Sequence, residues 1–481
     1  MARINTNISA LTALAQLRRN NLDLNTRLER LSTGLRINRG KDDPAGLIAS
    51  EALRAEMRGI SQAITNSERV INVISTGEGA LNEVSALLLD LRSLLLSSAN
   101  EGALTSEEIE ANQLEVDSLL QSIDRIAQTT SFGGKKLLNG ALGYTLSSVD
   151  ANAVASVETF SARVPEGGTT NIVVQVTGSA QTAELTYAEP VAGTGLASAV
   201  TFELAGFGGV EILSFASGTS ISDVVNSINA LQATTGVSAA LSVAATGGFN
   251  GILLDSLEYG SKQFVSVKAL SGTAFIATSI GNTSIDNGQD VTALINGQLA
   301  NADGLRVNVR TAGLDTRLFL TSQFATAVSS STYQITGGGA LFQITPEVTA
   351  TGQVSIGFGS TTTGNLGNAV IGFLNSLRSG GANEIAQGNF LAAERILREA
   401  INQIASQRGR LGGLQKNQIE TNINSQQVQL ENVTSSESII RDADMAFEIT
   451  RLTRAQILIQ ANQLTLQIAN QQPQAVLQLL G

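Results

Sequence analysis

No histidine, cysteine or tryptophan occurs among the 481 residues. Without imidazole or thiolate the chain has no means of building Ser-His-Asp or Cys-His nucleophile activation, an ordinary zinc or iron–sulfur site, or a disulfide framework. Most enzyme classes fall away at once, and no metal or cofactor is expected. Basic residues are outnumbered, 30 against 41 acidic, for a formal charge of -11, which disfavours a general affinity for nucleic acid or an anionic membrane. No apolar run reaches the roughly 18 residues of a spanning helix. The start, Met1-Ala2-Arg3-Ile4-Asn5-Thr6-Asn7, lacks the apolar stretch and small-residue cleavage site of a signal peptide. Neither nucleic-acid binding nor membrane insertion is expected, and any export would use another route.

What is present suffices for a sizeable core: 42% of residues are hydrophobic, and the length suggests about three domains. Helical periodicity dominates both ends. Ile4, Ile8 and Leu11 are spaced by four and three; Leu17, Leu24 and Leu31 repeat at seven with Leu28 and Leu35 beside them, an amphipathic, coiled-coil-like stripe. Gly34 interrupts it. Asp43 followed by Pro44 reads as a cap and first helical residue, opening a helix that runs to about Ala99 and extends on the order of 80 Å. Thr105-Ser106-Glu107-Glu108 has capping-box spacing and predicts a third helix. Near the other end Leu397, Ile404 and Leu411 fall at sevens, as do Met445, Leu452, Ile459 and Leu466, with Ile449 between them. Pro473 is expected to end or kink that last helix.

From about Val149 to Gly388 the texture changes to short β-rich runs broken by glycine. Val200 to Leu204, Leu305 to Arg310 and Leu318 to Thr321 are candidate strands. One helix interrupts them, with Ser220 and Asp223 at capping spacing. Gly337-Gly338-Gly339 lacks the Lys-Ser or Lys-Thr of a phosphate loop and reads as a turn. The fold class is therefore α+β multidomain, with long coiled-coil-like terminal helices packed together and a β-rich mixed central insertion.

Charge is distributed unevenly. Residues 1–41 carry eight Arg or Lys against Asp23 and Glu29, whereas residues 431–448 carry five acids against Arg441 alone. This asymmetry predicts an electrostatic register in which Arg30, Arg36 and Arg39 meet Glu437, Asp442 and Asp444, within or between subunits.

The ends resemble the bacterial flagellin family. The resemblance rests on Ile4 to Asn7, Leu28 to Asn38 and Asp42 to Gly46, and at the other end on Arg441 to Ala446, Gln456 to Leu458 and Ala469 to Gln474 leading to Val476 to Leu480. A weaker match, Gly218 to Asp223 with Ile228-Asn229 and Gly236-Val237, is similar to a small module of flagellins and hook-associated proteins.

The resemblance implies a structural subunit that polymerises into the hollow flagellar filament used for motility, secreted to the extracellular flagellum and not an enzyme. It divides the chain into a core helix at 1–33, a connector at 34–44, the N-terminal part of a helical shell at 45–145, and an outward-facing variable region at 146–388. The C-terminal part of the shell follows at 389–435, then a connector at 436–446 and a second core helix at 447–481. The implied partners are copies of the chain itself, the flagellar export apparatus and a chaperone, hook-associated proteins and the filament cap. Subunit packing would use Ile4, Ile8, Leu11, Leu17, Leu24, Leu28, Leu31, Met445, Ile449, Leu452, Ile459 and Leu466, together with Leu479 and Leu480 of the family's C-terminal motif. Both ends are expected to be unfolded in the monomer and to fold on assembly. In some flagellins an innate immune receptor recognises a shell surface through an arginine after a Gly-Ala-Leu-Asn-Glu motif; that motif stands at Gly79 to Glu83, and the matching position is Asp90, a charge reversal.

Periodicity alone is equally the mark of an ordinary helical bundle, and it is the ordered series of motifs that favours a polymer. The nearest rival is a hook–filament junction protein; a secreted enzyme or adhesin carried on the central region is another.

Overall fold

The computed structural model describes residues 6–164, 168–188, 195–196, 198–243, 249–272, 284–311 and 313–480. Among these, nine α-helices follow one another along the chain: α1 (Ile8–Thr33), α2 (Pro44–Ser98), α3 (Ser106–Thr129), α4 (Ile221–Ala230), α5 (Gln232–Thr235), α6 (Ser322–Ala325), α7 (Phe390–Leu414), α8 (Thr421–Arg441) and α9 (Met445–Leu480). The chain divides into two compact units, one of Met1–Ile71, Phe342–Val354 and Leu414–Gly481, the other of Asn72–Leu341 and Ser355–Gly413.

In the first unit α1 ends at Gly34, whose left-handed backbone (φ 74°) lets its N–H turn back to the Arg30 carbonyl at 2.9 Å, the glycine C-cap that stops a helix cleanly. Asp43 then starts α2: its carboxylate accepts from the Gly46 N–H at 2.9 Å, and Pro44 occupies the first position, where its missing N–H costs nothing. Ile37, Ile60, Ala63, Val70, Ile344, Ile419 and Ile423 are buried in this unit. The carbonyl of Ile344 accepts from the buried Gln426 side chain. Pro346 closes on Gly59, where a Cβ would lie 3.3 Å from the proline ring.

The second unit has a helical part and two β lobes. Its helices bury residues at repeats of seven: Ile74, Leu81, Leu88 and Leu95 on α2, Val116 and Ile123 on α3, and Leu397, Ile404 and Leu411 on α7. Polar pairs link these seams, Asn112 to Ser98 at 3.0 Å and Arg92 to Glu394 at 3.0 Å. The Thr105–Glu108 capping box is formed in both directions. Buried Gln113 has both ends satisfied, donating to the Leu377 carbonyl and accepting from the Ile385 N–H, each at 2.9 Å.

The first lobe packs a five-stranded antiparallel sheet, in the order Gln298–Leu299, Thr292–Ile295, Thr170–Gly178, Ser330–Gly338, Tyr144–Ser147, with a four-stranded one, Asn301–Asp303, Arg306–Arg310, Leu314–Leu320, Val154–Ala162. Their alternating inner residues, among them Ile172, Val174, Val176, Val307, Leu318 and Tyr333, form one core. The second lobe is spelled out entirely between Gly178 and Thr292. It sets α4 with a four-stranded sheet, Ile285–Asn287, Phe264–Ser271, Val200–Gly206, Val210–Phe215, and a three-stranded one, Glu184–Ala188, Phe249–Ser256, Val237–Val243. Gly337, Gly338 and Gly339 all have positive φ. The expected turn is not there: Gly337 and Gly338 close the strand Ser330–Gly338, paired with Thr145 and Tyr144, and only Gly339 lies outside it. Glycine is needed because the backbones approach closely, a Cβ on Gly338 lying 2.2 Å from the Gly143 carbonyl.

A charged cluster joins the first lobe to α7. Arg410 lies 3.6 Å from the centre of the Phe160 ring and 2.7 Å from Asp315. Arg317 bonds Glu158 at 3.3 Å and Ser406 at 2.9 Å, and Gln403 donates to Glu158 at 3.1 Å. Burial pushes the Glu158 carboxyl above the usual range, against the opposing charge of Arg317.

Two features differ from the expectations above. Helix α9 does not end at Pro473 but runs to Leu480; the proline removes one backbone bond near the end of a helix of 36 residues, and the rest of the ladder carries it on. Helix α8 continues to Arg441, so the break that was expected over 436–446 is only Asp442 to Asp444. Between α7 and α8 a π-helical turn, Gln415–Glu420, keeps the chain helical from Phe390 to Arg441.

Gly409 and Gly412 sit in α7 with open space where a Cβ would go. Gly412→Ala should therefore raise stability by about 0.5–1 kcal/mol, and Thr105→Ala should lower it by about 1 kcal/mol through loss of the capping box. Urea unfolding of the two variants, followed by far-ultraviolet circular dichroism, checks both.

Candidate assembly surface

The terminal helices α1 and α9 pack side by side within the first unit. Small residues allow the close approach: Ala13, Ala455 and Ala469 are buried. Asn7 fastens one end, its amide donating to the Ala469 carbonyl at 2.6 Å while its side-chain oxygen caps α1 through the Ala10 N–H at 2.9 Å. Along the seam Leu17, Leu24, Leu31, Leu452, Ile459 and Leu466 are half-buried.

Two helices side by side can each hide only one flank. The remaining flanks are rich in apolar side chains: Ile8, Leu11, Leu22 and Leu28 on α1, and Met445, Phe447, Ile449, Ile457, Leu458, Leu464 and Ile468 on α9, are all exposed. On α9, Ile449, Thr450, Thr453, Arg454, Ile457 and Leu458 line an open groove of about 420 Å³. Of the residues the heptad pattern singled out, Ile8, Leu11, Leu28, Met445 and Ile449 thus lie on uncovered faces, and the others just named lie in the seam. Ile4 lies outside the described residues, as do the side chains of Leu479 and Leu480. The pattern missed Leu22, Phe447, Ile457, Leu458, Leu464 and Ile468 because they fall off the seven-residue repeat. Their signal is a second apolar stripe on helices that already have one.

The electrostatics centre on Glu448, whose side chain is 4% exposed. Arg27 donates to both of its oxygens at 2.9–3.0 Å, and Arg30 adds a bond at 3.1 Å. Asp23, one turn before Arg27, holds the guanidinium from the other side at 2.9 Å. Burial pushes the Glu448 carboxyl up, but the hydrogen bonds and charges of Arg27 and Arg30 outweigh it and hold the group below the usual range. A buried carboxylate with two guanidinium partners fixes the axial position of α9 against α1, because sliding by one turn would strand a charge away from water.

Only one of the six residues expected to set the register, Arg30, takes part in this cluster. Arg36 instead joins the break between α8 and α9: its side chain donates to the Ile440 carbonyl and its N–H to the Arg441 carbonyl at 2.7 Å. Leu35 bridges Asp442, and the Ala443 N–H reaches the Gly34 carbonyl at 2.9 Å. Arg39 pairs with Glu29 at 2.9 Å, and Glu437 lies 4.0 Å from Arg54. Asp442 and Asp444 make no ion pair among the described residues. Their carboxylates serve helix ends instead, Asp442 accepting from the Ser438 hydroxyl at 2.6 Å and Asp444 capping α9 through the Phe447 N–H at 3.0 Å. An acid beside a helix terminus finds a backbone or hydroxyl donor nearer than a distant arginine. Arg441 pairs with Glu51 at 2.9 Å, and that hydrogen bond, the largest influence on it, lowers the Glu51 carboxyl.

Acid should act on this cluster in a defined direction. Glu448 is held low in the folded chain, so its contribution is complete above the ordinary glutamate range and is lost as pH falls through the folded value below it. The thermal stability of the α1–α9 pair should fall as pH drops through and below the ordinary glutamate range, and Glu448→Gln should flatten that dependence while lowering stability at neutral pH. Melting followed by circular dichroism across the range checks this.

Three family models match the chain in order: the N-terminal helical region of bacterial flagellin over residues 4–142, the flagellin hook IN motif over 201–252, and the C-terminal helical region of bacterial flagellin over 395–480. Flagellin B of Helicobacter pylori is 28% identical over 519 residues, 99% of each chain, and a flagellin of Clostridium tyrobutyricum is 29% identical over 480 residues, 98% of this chain and all of that one. Flagellin A of Vibrio cholerae is 47% identical over 140 residues, 29% of this chain and 37% of its own length. Among solved structures, hook-associated protein 3 of Legionella pneumophila is 13% identical and covers 80% of this chain and 97% of its own at a TM-score of 0.29. A cap protein fragment from Escherichia coli is 15% identical over 47% and 64% at a TM-score of 0.29. Such scores are too low to bear on the fold. With both helical ends and the interior motif matched in sequence order, and with relatives running its whole length, the chain belongs to the bacterial flagellin family, whose members build the flagellar filament.

Proposed function

We propose that the chain polymerises through the apolar flanks that α1 and α9 leave uncovered, each subunit's flanks being buried by those of its neighbours. The observation that carries this reading is the second apolar stripe on a helix pair that has already used one face of each member. A helical polymer needs heterologous contacts, different surfaces meeting at each interface, and the groove between Ile449 and Leu458 on α9 differs in shape and charge from the stripe of Ile8, Leu11 and Leu22 on α1. Covering one such side chain stabilises by about 1.5–3 kcal/mol. Several covered together are enough to offset the lost freedom of a docking subunit, about 4–15 kcal/mol.

The domain reading is carried over from the family resemblance. Residues 1–33 and 447–481 serve as core helices, 45–145 and 389–435 as shell, and 146–388 as the variable region. The ends are proposed to be only marginally folded in the monomer, because a helix pair that leaves a second apolar stripe in water gains little from folding alone. The chain is read as purely structural, without catalysis, in keeping with its lack of histidine and cysteine. Secretion through an export apparatus with a chaperone, and contacts with hook-associated proteins and a filament cap, are proposed on the family's pattern. The junction-protein alternative has less support, since the full-length relatives named above are flagellins.

Ile457→Asp together with Leu464→Asp should raise the critical concentration for seeded growth by at least about tenfold, read by sedimentation and electron microscopy. Normal growth of that variant would remove the basis of the reading. Amide protons of residues 8–33 and 445–470 should become more protected on assembly, which hydrogen exchange of monomer and filament checks; equal protection in both would show that the ends are already as stable alone.

A further inference from the structure

We infer that Met445 is an oxidation site, at which a peroxide converts the exposed thioether of an unassembled chain to the sulfoxide and so withdraws that chain from polymerisation. The inference rests on the assembly reading above.

The chain lacks cysteine, tryptophan and histidine, so its sulfur chemistry is confined to three methionines. Met1 lies outside the described residues, and Met57 is half-buried on α2. Met445 is 45% exposed in the first turn of α9, close in sequence to Phe447 (51% exposed) and Ile449 on the uncovered flank. Reactivity of a thioether follows access, and a peroxide meets no competing thiol in this chain. In the reaction the sulfur donates an electron pair to one peroxide oxygen. An S–O bond forms as the O–O bond breaks, and the second oxygen leaves as water; sulfur is oxidised by two electrons and peroxide reduced by two.

The product exchanges a flexible apolar side chain for a polar, chiral one with a strong acceptor oxygen. On the free chain that costs little, because the sulfoxide is in water. In an interface between apolar flanks the oxygen would be buried with no donor placed for it. Assembly should protect the sulfur in turn, so the sensitive interval is the time between release of the chain and its incorporation.

The full chain is treated with hydrogen peroxide as monomer and as filament, quenched with catalase, mapped by peptide mass, and tested in seeded growth. Met445 in the monomer should gain one oxygen faster than Met57 and faster than Met445 in the filament. The oxidised monomer should show a critical concentration about tenfold higher, restored by a methionine sulfoxide reductase. Met445→Leu, compared with its own untreated baseline, should show no change with peroxide, whereas Met57→Leu should remain sensitive. Peroxide sensitivity persisting in Met445→Leu, or normal growth of chains shown by mass to carry the sulfoxide, would overturn the inference. If oxidised chains grow normally while the Ile457→Asp, Leu464→Asp variant does not, only the oxidation site falls; if both grow normally, the assembly reading falls with it.

Discussion

The pairing of α1 with α9 is the constraint on which the rest depends. Two parallel cylinders touch along a line, so the pair can dry one flank of each member and no more. Glu448 fixes which flanks those are: enclosed by Arg27 and Arg30 and steadied through Asp23, it tolerates one axial position. With the seam fixed, the leftover leucines, isoleucines and Phe447 are presented as a defined surface and not as an adaptable one. The charge cluster contributes specificity and the apolar side chains contribute affinity, a division common where long helices must choose one register among many.

The second unit is built on another economy. Its helices repeat buried residues at seven, but there the seams are filled within the chain: Ile74, Leu81, Leu88 and Leu95 on α2 and Leu397, Ile404 and Leu411 on α7 are all buried. The β lobes hang from this part through polar contacts, with Arg410 stacked on Phe160 and held by Asp315. The second lobe enters and leaves through the first, so the first carries the chain out and back without disturbing the helices.

Much of this architecture was legible in the residues. Helix starts were readable where a short polar side chain stands before a proline or a capping box, as at Asp43-Pro44 and Thr105 to Glu108, because the chemistry that caps a helix is local. The break at Gly34 was readable for the same reason. Strand pairing in the middle was not, since the partner of Thr170–Gly178 lies far along the chain at Ser330–Gly338 and nothing local names it. The electrostatic site was half legible. Counting charges located a basic stretch and an acidic one, but the decisive acid, Glu448, owes its role to burial against α1, a tertiary fact. Asp442 and Asp444 looked equivalent to it by charge, but they are exposed and serve helix ends, whereas Glu448 is buried. The exposed stripe on α9 was hidden for a related reason: a search for one seven-residue repeat passes over apolar residues that belong to a different face.

The contact between Asn7 and Ala469 spans 462 positions. A ribosome therefore releases α1 long before its companion exists, and nothing made in between substitutes for it. Prematurely terminated chains carry an unmatched arginine pair where Glu448 should sit and cannot close the bundle. Completion of synthesis is thus written into the geometry: the pair can form only in a chain that already carries both Glu448 and Ala469.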